Sequence, residues 1–237
     1  MVIQILYQIL CIWILTTFFT CRLKIISNFS GSAGIAVVLN KKNYLFTDGR
    51  YTIQSQIESG KNFKIIDKSS VPVLSPGDLG CFDDNGVTPS CAIKVGKEIF
   101  LYYIGWNPGS TVRMHLFRGL AISKDGGNSF TRWSRAPIIE RSITDPYLNT
   151  APFVVKHINE YRMYYVAGHE WVHKDLPRYN IKMATSHDGL NWKRSGKVCI
   201  DFKNQDENAL ARPFVIFDRG LWKMWFGYKK DYYRIGY

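Results

Sequence analysis

The sequence predicts a mainly β protein built from a repeated antiparallel unit, on three observations. First, three stretches share one pattern: Thr88 to Trp106, Ala151 to Trp171 and Arg212 to Tyr228 each read as an apolar strand opened by a proline, a polar turn, and an aromatic-rich strand. Second, the prolines Pro89, Pro152 and Pro213 fall 63 and 61 positions apart, and the turns Asp125-Gly126 and Asp188-Gly189 are again 63 apart. Third, these stretches alternate in the manner of strands and show no helical spacing. A period this long, made of four strands, is the signature of propeller blades. The fold class is therefore mainly β: a partial, truncated β-propeller of about three four-stranded blades, preceded by a small α/β fragment and an apolar N-terminal helix.

Taken in order, residues 1–21 come first. Val2 to Thr20 is uncharged, largely apolar and about the length that spans a bilayer, so membrane anchoring through residues 2–20 is an expectation. Residues 22–68 read strand, strand, helix, strand: "IAVVL" and "NYLFTD" are rich in strand formers, "GRYTIQSQIESG" has helical spacing with Gly60 as its stop, and "FKIID" is a strand again. Residues 69–237 form the propeller part. At about 62 residues per repeat they hold under three blades, whereas propellers close with about four to eight. The third repeat stops inside a strand at Tyr233 to Tyr237, which reads as truncation.

A net charge of +12 and a pI near 9.5 would suit a polyanion. The basic residues, however, are scattered over turns and strand ends with no basic helix, so no nucleic acid partner is expected. The five cysteines have an odd count and no CxxC spacing, which argues against structural disulfides and a zinc ribbon. "HEWVH" (His169 to His173) matches the zincin pattern, but that chemistry needs a helix. Here the motif follows a strand and reads as a loop at the blade's end, so no metal site and no cofactor is expected.

Each proline-opened strand is preceded by carboxylates: Asp83 and Asp84 before Pro89, Asp145 before Pro152, and Asp206 and Glu207 before Pro213. Equivalent positions of successive blades converge on a propeller's axis, and clustered carboxylates split their pKa values into an acid and a base. The competing reading is that Asp and Asn before a strand are ordinary turn residues. Asp125 and Asp188 belong to structural turns, with Gly126 and Gly189 supplying positive φ. Trp106 and Trp171, one repeat apart, suit either stacking on sugar rings or packing between blades.

Two resemblances follow. "NFSGSAG" (Asn28 to Gly34) and "LFTDGRY" (Leu45 to Tyr51) closely resemble the noncatalytic N-terminal domain of Xaa-Pro aminopeptidases and creatinases, over about 46 residues. Nothing after Asp67 resembles their metal-binding catalytic domain. The "SxDGxxW/F" turns, "TDP" (Thr144 to Pro146) and an acidic residue shortly before "ARP" (Ala211 to Pro213) look like the five-bladed propellers of family 43 and family 32 glycoside hydrolases. That resemblance implies catalytic roles for Asp83 or Asp84, Asp145 and Glu207, and substrate-binding roles for Trp106, Trp171 and Arg212. It implies an oligosaccharide or glycan substrate, hydrolysed at its glycosidic bonds. The alternatives are a noncatalytic sugar-binding or interaction propeller and, third, a remnant of an Xaa-Pro aminopeptidase.

Overall fold

The structure is a computed structural model, and it describes residues 24, 27–30, 34–38, 42–47, 51–67 and 72–237. The apolar segment 2–20 lies outside the described residues. Among the described residues no helix is long and apolar enough to cross a membrane. The chain divides into two compact units, Met1–Pro72 and Val73–Tyr237.

In the first unit, β1 (Gly34–Val38) and β2 (Asn43–Thr47) pair antiparallel, α1 (Thr52–Ser59) follows, and β3 (Lys64–Asp67) pairs parallel to β2. Phe29, Ala36, Leu45 and Phe63 form its core. Two residues of the segment 28–34 fasten α1. Asn28 Nδ2 donates to the Glu58 carbonyl at 3.0 Å, and Ser30 donates its backbone N–H and its hydroxyl to the two Glu58 carboxylate oxygens, both at 2.7 Å. Ser59 Oγ, at the same C-terminal end of the helix, donates to the Ser27 carbonyl at 2.6 Å.

The second unit is a series of antiparallel meanders. The first, β4 (Val87–Val95), β5 (Glu98–Pro108), β6 (Met114–Ser123) and β7 (Thr131–Arg132), forms a separate four-stranded sheet. The next runs β8 (Asn149–His157), β9 (Glu160–His173), β10 (Leu176–Ser186) and β11 (Lys193–Ile200). The last has three strands, β12 (Ala209–Asp218), β13 (Leu221–Lys229) and β14 (Tyr233–Gly236). These last two differ from the expected separate four-stranded blades. A single parallel pairing, Tyr179 with Ala209, joins β10 to β12, so they form one seven-stranded sheet. Neither sheet of this unit closes on itself among the described residues.

The proline-opened strands β4, β8 and β12 each begin a meander and face one another. Ser90 Oγ donates to the Pro152 carbonyl at 2.8 Å, and the rings of Phe153 and Phe214 meet at 5.0 Å. Apolar side chains fill the spaces between meanders. Phe100, Tyr102 and Leu120 pack on Val154, Met163 and Tyr165, and Tyr164 and Ile181 pack on Leu210, Val215 and Phe226. Face-to-face packing of successive twisted sheets is how propeller blades bury their two apolar surfaces.

The Asp-Gly turns fix the outer hairpins. Asp125 Oδ1 accepts the N–H groups of Asn128 and Ser129 and the Ser123 hydroxyl, and Asp188 Oδ1 accepts those of Leu190 and Asn191 and the Ser186 hydroxyl. Gly126 and Gly189 have φ of 80° and 76°, a conformation a side chain resists. The "HEWVH" stretch is a correction: it continues β9 through His173 instead of forming a loop. A strand cannot set its two histidines one helical turn apart.

Candidate functional site

The carboxylates before the first two inner strands are parts of one device built twice. Tyr103 OH donates to Asp83 Oδ2 at 2.9 Å, and Arg132 Nε donates to the same oxygen at 2.8 Å. One blade on, Tyr165 OH donates to Asp145 Oδ2 at 2.9 Å, and Arg194 donates to it at 3.0 Å. The tyrosine lies 20 positions and the arginine 49 positions from the aspartate in both copies. Each clamp thus ties the loop before the inner strand to the second strand, which carries the tyrosine, and the fourth, which carries the arginine.

Both aspartates are sealed. Asp83 is 1 % exposed and Asp145 0 %, so neither carboxylate meets solvent. Burial pushes the Asp145 carboxyl up, but the Lys182 ammonium, the Tyr165 hydroxyl and Arg194 outweigh it and hold the group below its ordinary range. Burial in turn pushes the Tyr103 and Tyr165 hydroxyls up, so both act as donors.

The two copies differ at one position. Lys182 Nζ donates to Asp145 Oδ1 at 3.0 Å, whereas its counterpart 63 positions earlier is Gly119. There Asp83 Oδ1 is buried with no hydrogen-bond partner. Gly119 is required by close approach, since a Cβ at this position would lie 2.1 Å from the Tyr103 ring.

The remaining sequence-predicted residues lie elsewhere. Asp84 is a turn residue: it accepts the Gly80 N–H at 2.8 Å and the side-chain amides of Asn85 and Asn107. These bonds hold its carboxyl below its ordinary range, the Gly80 amide first among them. Glu207 is 4 % exposed and accepts the Lys203 N–H at 2.7 Å, while its carbonyl accepts from Arg178 Nε at 3.3 Å. Arg178 also pairs with Glu170 at 2.7 Å and lies over the Phe202 ring.

The structure does bring Trp106 and Trp171 into one apolar cluster, together with Ala151, Tyr179 and Ala211. Both indoles are partly exposed. Ala151 and Arg212, immediately before Pro152 and Pro213, have φ of 45° and 47° at breaks in register of β8 and β12. Such bulges turn a strand end and re-aim its side chains, here leaving Arg212 exposed beside the cluster. Among the described residues no group of three or more His, Cys, Asp or Glu side chains is placed to hold a metal ion.

Sequence reasoning missed Tyr103, Arg132, Tyr165, Lys182 and Arg194. The tyrosines and arginines carried a signal, recurrences at 20 and 49 positions after each aspartate, but it joins elements far apart in the chain; Lys182, 37 positions after Asp145, has no such recurrence.

No protein-family model matches the chain. An uncharacterised protein of Mycobacterium tuberculosis is 37 % identical over 174 residues, 73 % of this chain and 58 % of that protein. The chain thus spans little more than half the length of this curated relative. A probable Xaa-Pro aminopeptidase P of Laccaria bicolor is 47 % identical over 51 residues, 22 % of this chain and 8 % of that protein. Among solved structures, a glycoside hydrolase matches with a TM-score of 0.56 at 19 % identity, covering 74 % of this chain and 52 % of its own. The GH32 beta-fructofuranosidase of Bombyx mori matches with a TM-score of 0.52 at 16 % identity, over 66 % of this chain and 33 % of its own. A family 117 glycoside hydrolase of Zobellia galactanivorans matches with a TM-score of 0.50 at 21 % identity, over 69 % and 54 %. The fold is glycoside-hydrolase-like.

Proposed function

We propose that Val73–Tyr237 is a carbohydrate-active propeller that takes a glycan at the mouth formed by the starts of β8 and β12. The observation that carries this is the shared, partly exposed cluster of Trp106 and Trp171. Flat aromatic faces beside polar groups are the usual means of holding a sugar ring, with the face stacking and the polar groups setting orientation. Exposed Arg212, aimed by the bulge before Pro213, supplies the polar group.

In this reading Asp83 and Asp145 position the blades and do not touch substrate. Both oxygens of Asp145 are taken by tyrosine, arginine and lysine donors, and Asp83, with one oxygen clamped and the other unpaired, is 1 % exposed, so burial closes the path of either carboxylate to a sugar oxygen. Hydrolysis is the second reading, favoured by Glu207, a largely buried carboxylate held by a backbone amide. A general acid of this kind contributes about 10² to 10⁴ in rate. Residues 22–68 are, on the same footing, a noncatalytic piece related to aminopeptidase N-terminal domains.

Binding to a glycan array, followed by calorimetry of the best ligand, tests the proposal. Trp106→Ala and Trp171→Ala should each weaken binding about tenfold or more while the chain stays folded. Glu207→Gln should keep binding and slow any turnover by roughly 10²-fold or more. Retained affinity in both tryptophan variants would remove the mouth as the site.

A further inference from the structure

Between the first and second meanders lies a buried group that the clamps do not use. Arg118, on β6, is 0 % exposed, and its guanidinium lies 4.0 Å from the centre of the Tyr165 ring. Its Nε donates to Asn149 Oδ1 at 3.0 Å, and its NH1 contacts Met163 Sδ at 3.3 Å. Its NH2 has no partner, and neither has Asn149 Nδ2. Because Asn149 Oδ1 must face the Arg118 N–H, the orientation of that amide is fixed and Nδ2 is a donor.

We propose that Arg118 and Asn149 form a buried site for a small inorganic anion, a halide, seated between the first two blades. Arg118 and Asn149 are hydrogen-bonded neighbours that each keep an unpaired buried donor, and such donors are poorly served by water, whose own two protons would then need acceptors in the same place. An anion accepts both donors and needs nothing in return. Charge points the same way. Arg118 lies over the ring whose hydroxyl bonds Asp145, so Arg118, Lys182 and Arg194 gather around a single carboxylate. Uncompensated buried cations cost several kcal/mol each, and an anion offsets that cost. Burial first, with the neighbouring Arg194 cation adding to it, pushes the Arg118 guanidinium down to about 9, although Tyr165 and Asp145 act the other way. Complete burial of the donors selects a small, readily dehydrated ion over a phosphate or a sugar carboxylate.

The test is thermal melting of the full chain in sodium chloride against sodium gluconate at constant ionic strength. The melting temperature should rise with chloride and not with gluconate, by roughly 3 to 6 °C for each tenfold increase above the dissociation constant. Asn149→Asp, which supplies a fixed negative charge beside Arg118, should remove the chloride dependence and raise the melting temperature in gluconate. Anomalous diffraction from crystals grown in sodium bromide should place a bromide within hydrogen-bond distance of Arg118 NH2. Equal melting in the two salts, or a bromide map without a peak beside Arg118, would overturn the proposal even if a variant failed to fold.

Discussion

Asp145 carries the largest single electrostatic debt in the second unit, since removing its charge leaves Lys182 and Arg194 partly buried without their carboxylate. Asp145→Asn should therefore destabilise the chain by about 3–5 kcal/mol in urea titrations. Asp83→Asn should cost less, because Asp83 pairs with one cation, Arg132, and already leaves one oxygen unpaired. The pH dependence has a definite sign. A carboxyl held below its unfolded value stabilises the fold above about pH 4 and loses that contribution as pH falls further. Asp125 and Asp188, held low by their turn bonds, steepen the same acid limb, so the difference between wild type and Asp145→Asn isolates Asp145. An acid limb unchanged by Asp145→Asn would contradict the clamp. The sequence made these aspartates visible through their distance from each proline, but their roles depend on a tyrosine and an arginine two and more strands away. Spacing alone marks a repeated carboxylate, while the tyrosine and arginine that bind it are set by strand pairing.

At the level of strands, the sequence is legible where periodicity acts locally. The proline-opened strands, the aromatic second strands and the Asp-Gly turns all fall where their patterns put them. The bulges before Pro152 and Pro213 were not legible, because a proline restricts its predecessor toward extended backbone, and Ala151 and Arg212 instead hold positive φ. Arg212→Gly should relieve that strain and stabilise the fold by about 0.5–1 kcal/mol, while weakening glycan binding through loss of the guanidinium. Stability and affinity moving in opposite directions is the outcome to look for, and a loss of both would show that Arg212 is chiefly structural. Gly119→Ala should cost about 1–3 kcal/mol, because the Tyr103 ring it meets is held by Asp83 and has no room to retreat. The single β10–β12 pairing was equally invisible, since one backbone bridge between meanders leaves no mark on side-chain alternation.

At the scale of the whole molecule, each unit has its own buried core, Phe29, Ala36, Leu45 and Phe63 in one and the inter-blade clusters in the other. Residues 73–237 produced alone should keep a β-type circular dichroism spectrum and melt within about 3 °C of that unit's transition in the full chain. Loss of the cooperative transition would show that the cores are interdependent. The blade-like repeat was legible in the 63- and 61-residue spacing of the prolines, and the resemblance to glycoside hydrolases in the "SxDGxxW/F", "TDP" and "ARP" stretches. The placement of function was less so, because burial decides which carboxylates reach a ligand, and burial is a property of the assembled blades. The central claim is that the glycan sits at the starts of the inner strands and that the clamp aspartates stay out of its reach. A crystal structure with a bound oligosaccharide tests it most directly. A sugar ring is expected against Trp106 or Trp171, with Arg212 bonded to its hydroxyls and Asp83 and Asp145 still paired to Arg132 and Arg194. A sugar bonded directly to Asp83 or Asp145, or seated on the outer strands β7 and β11, would contradict it.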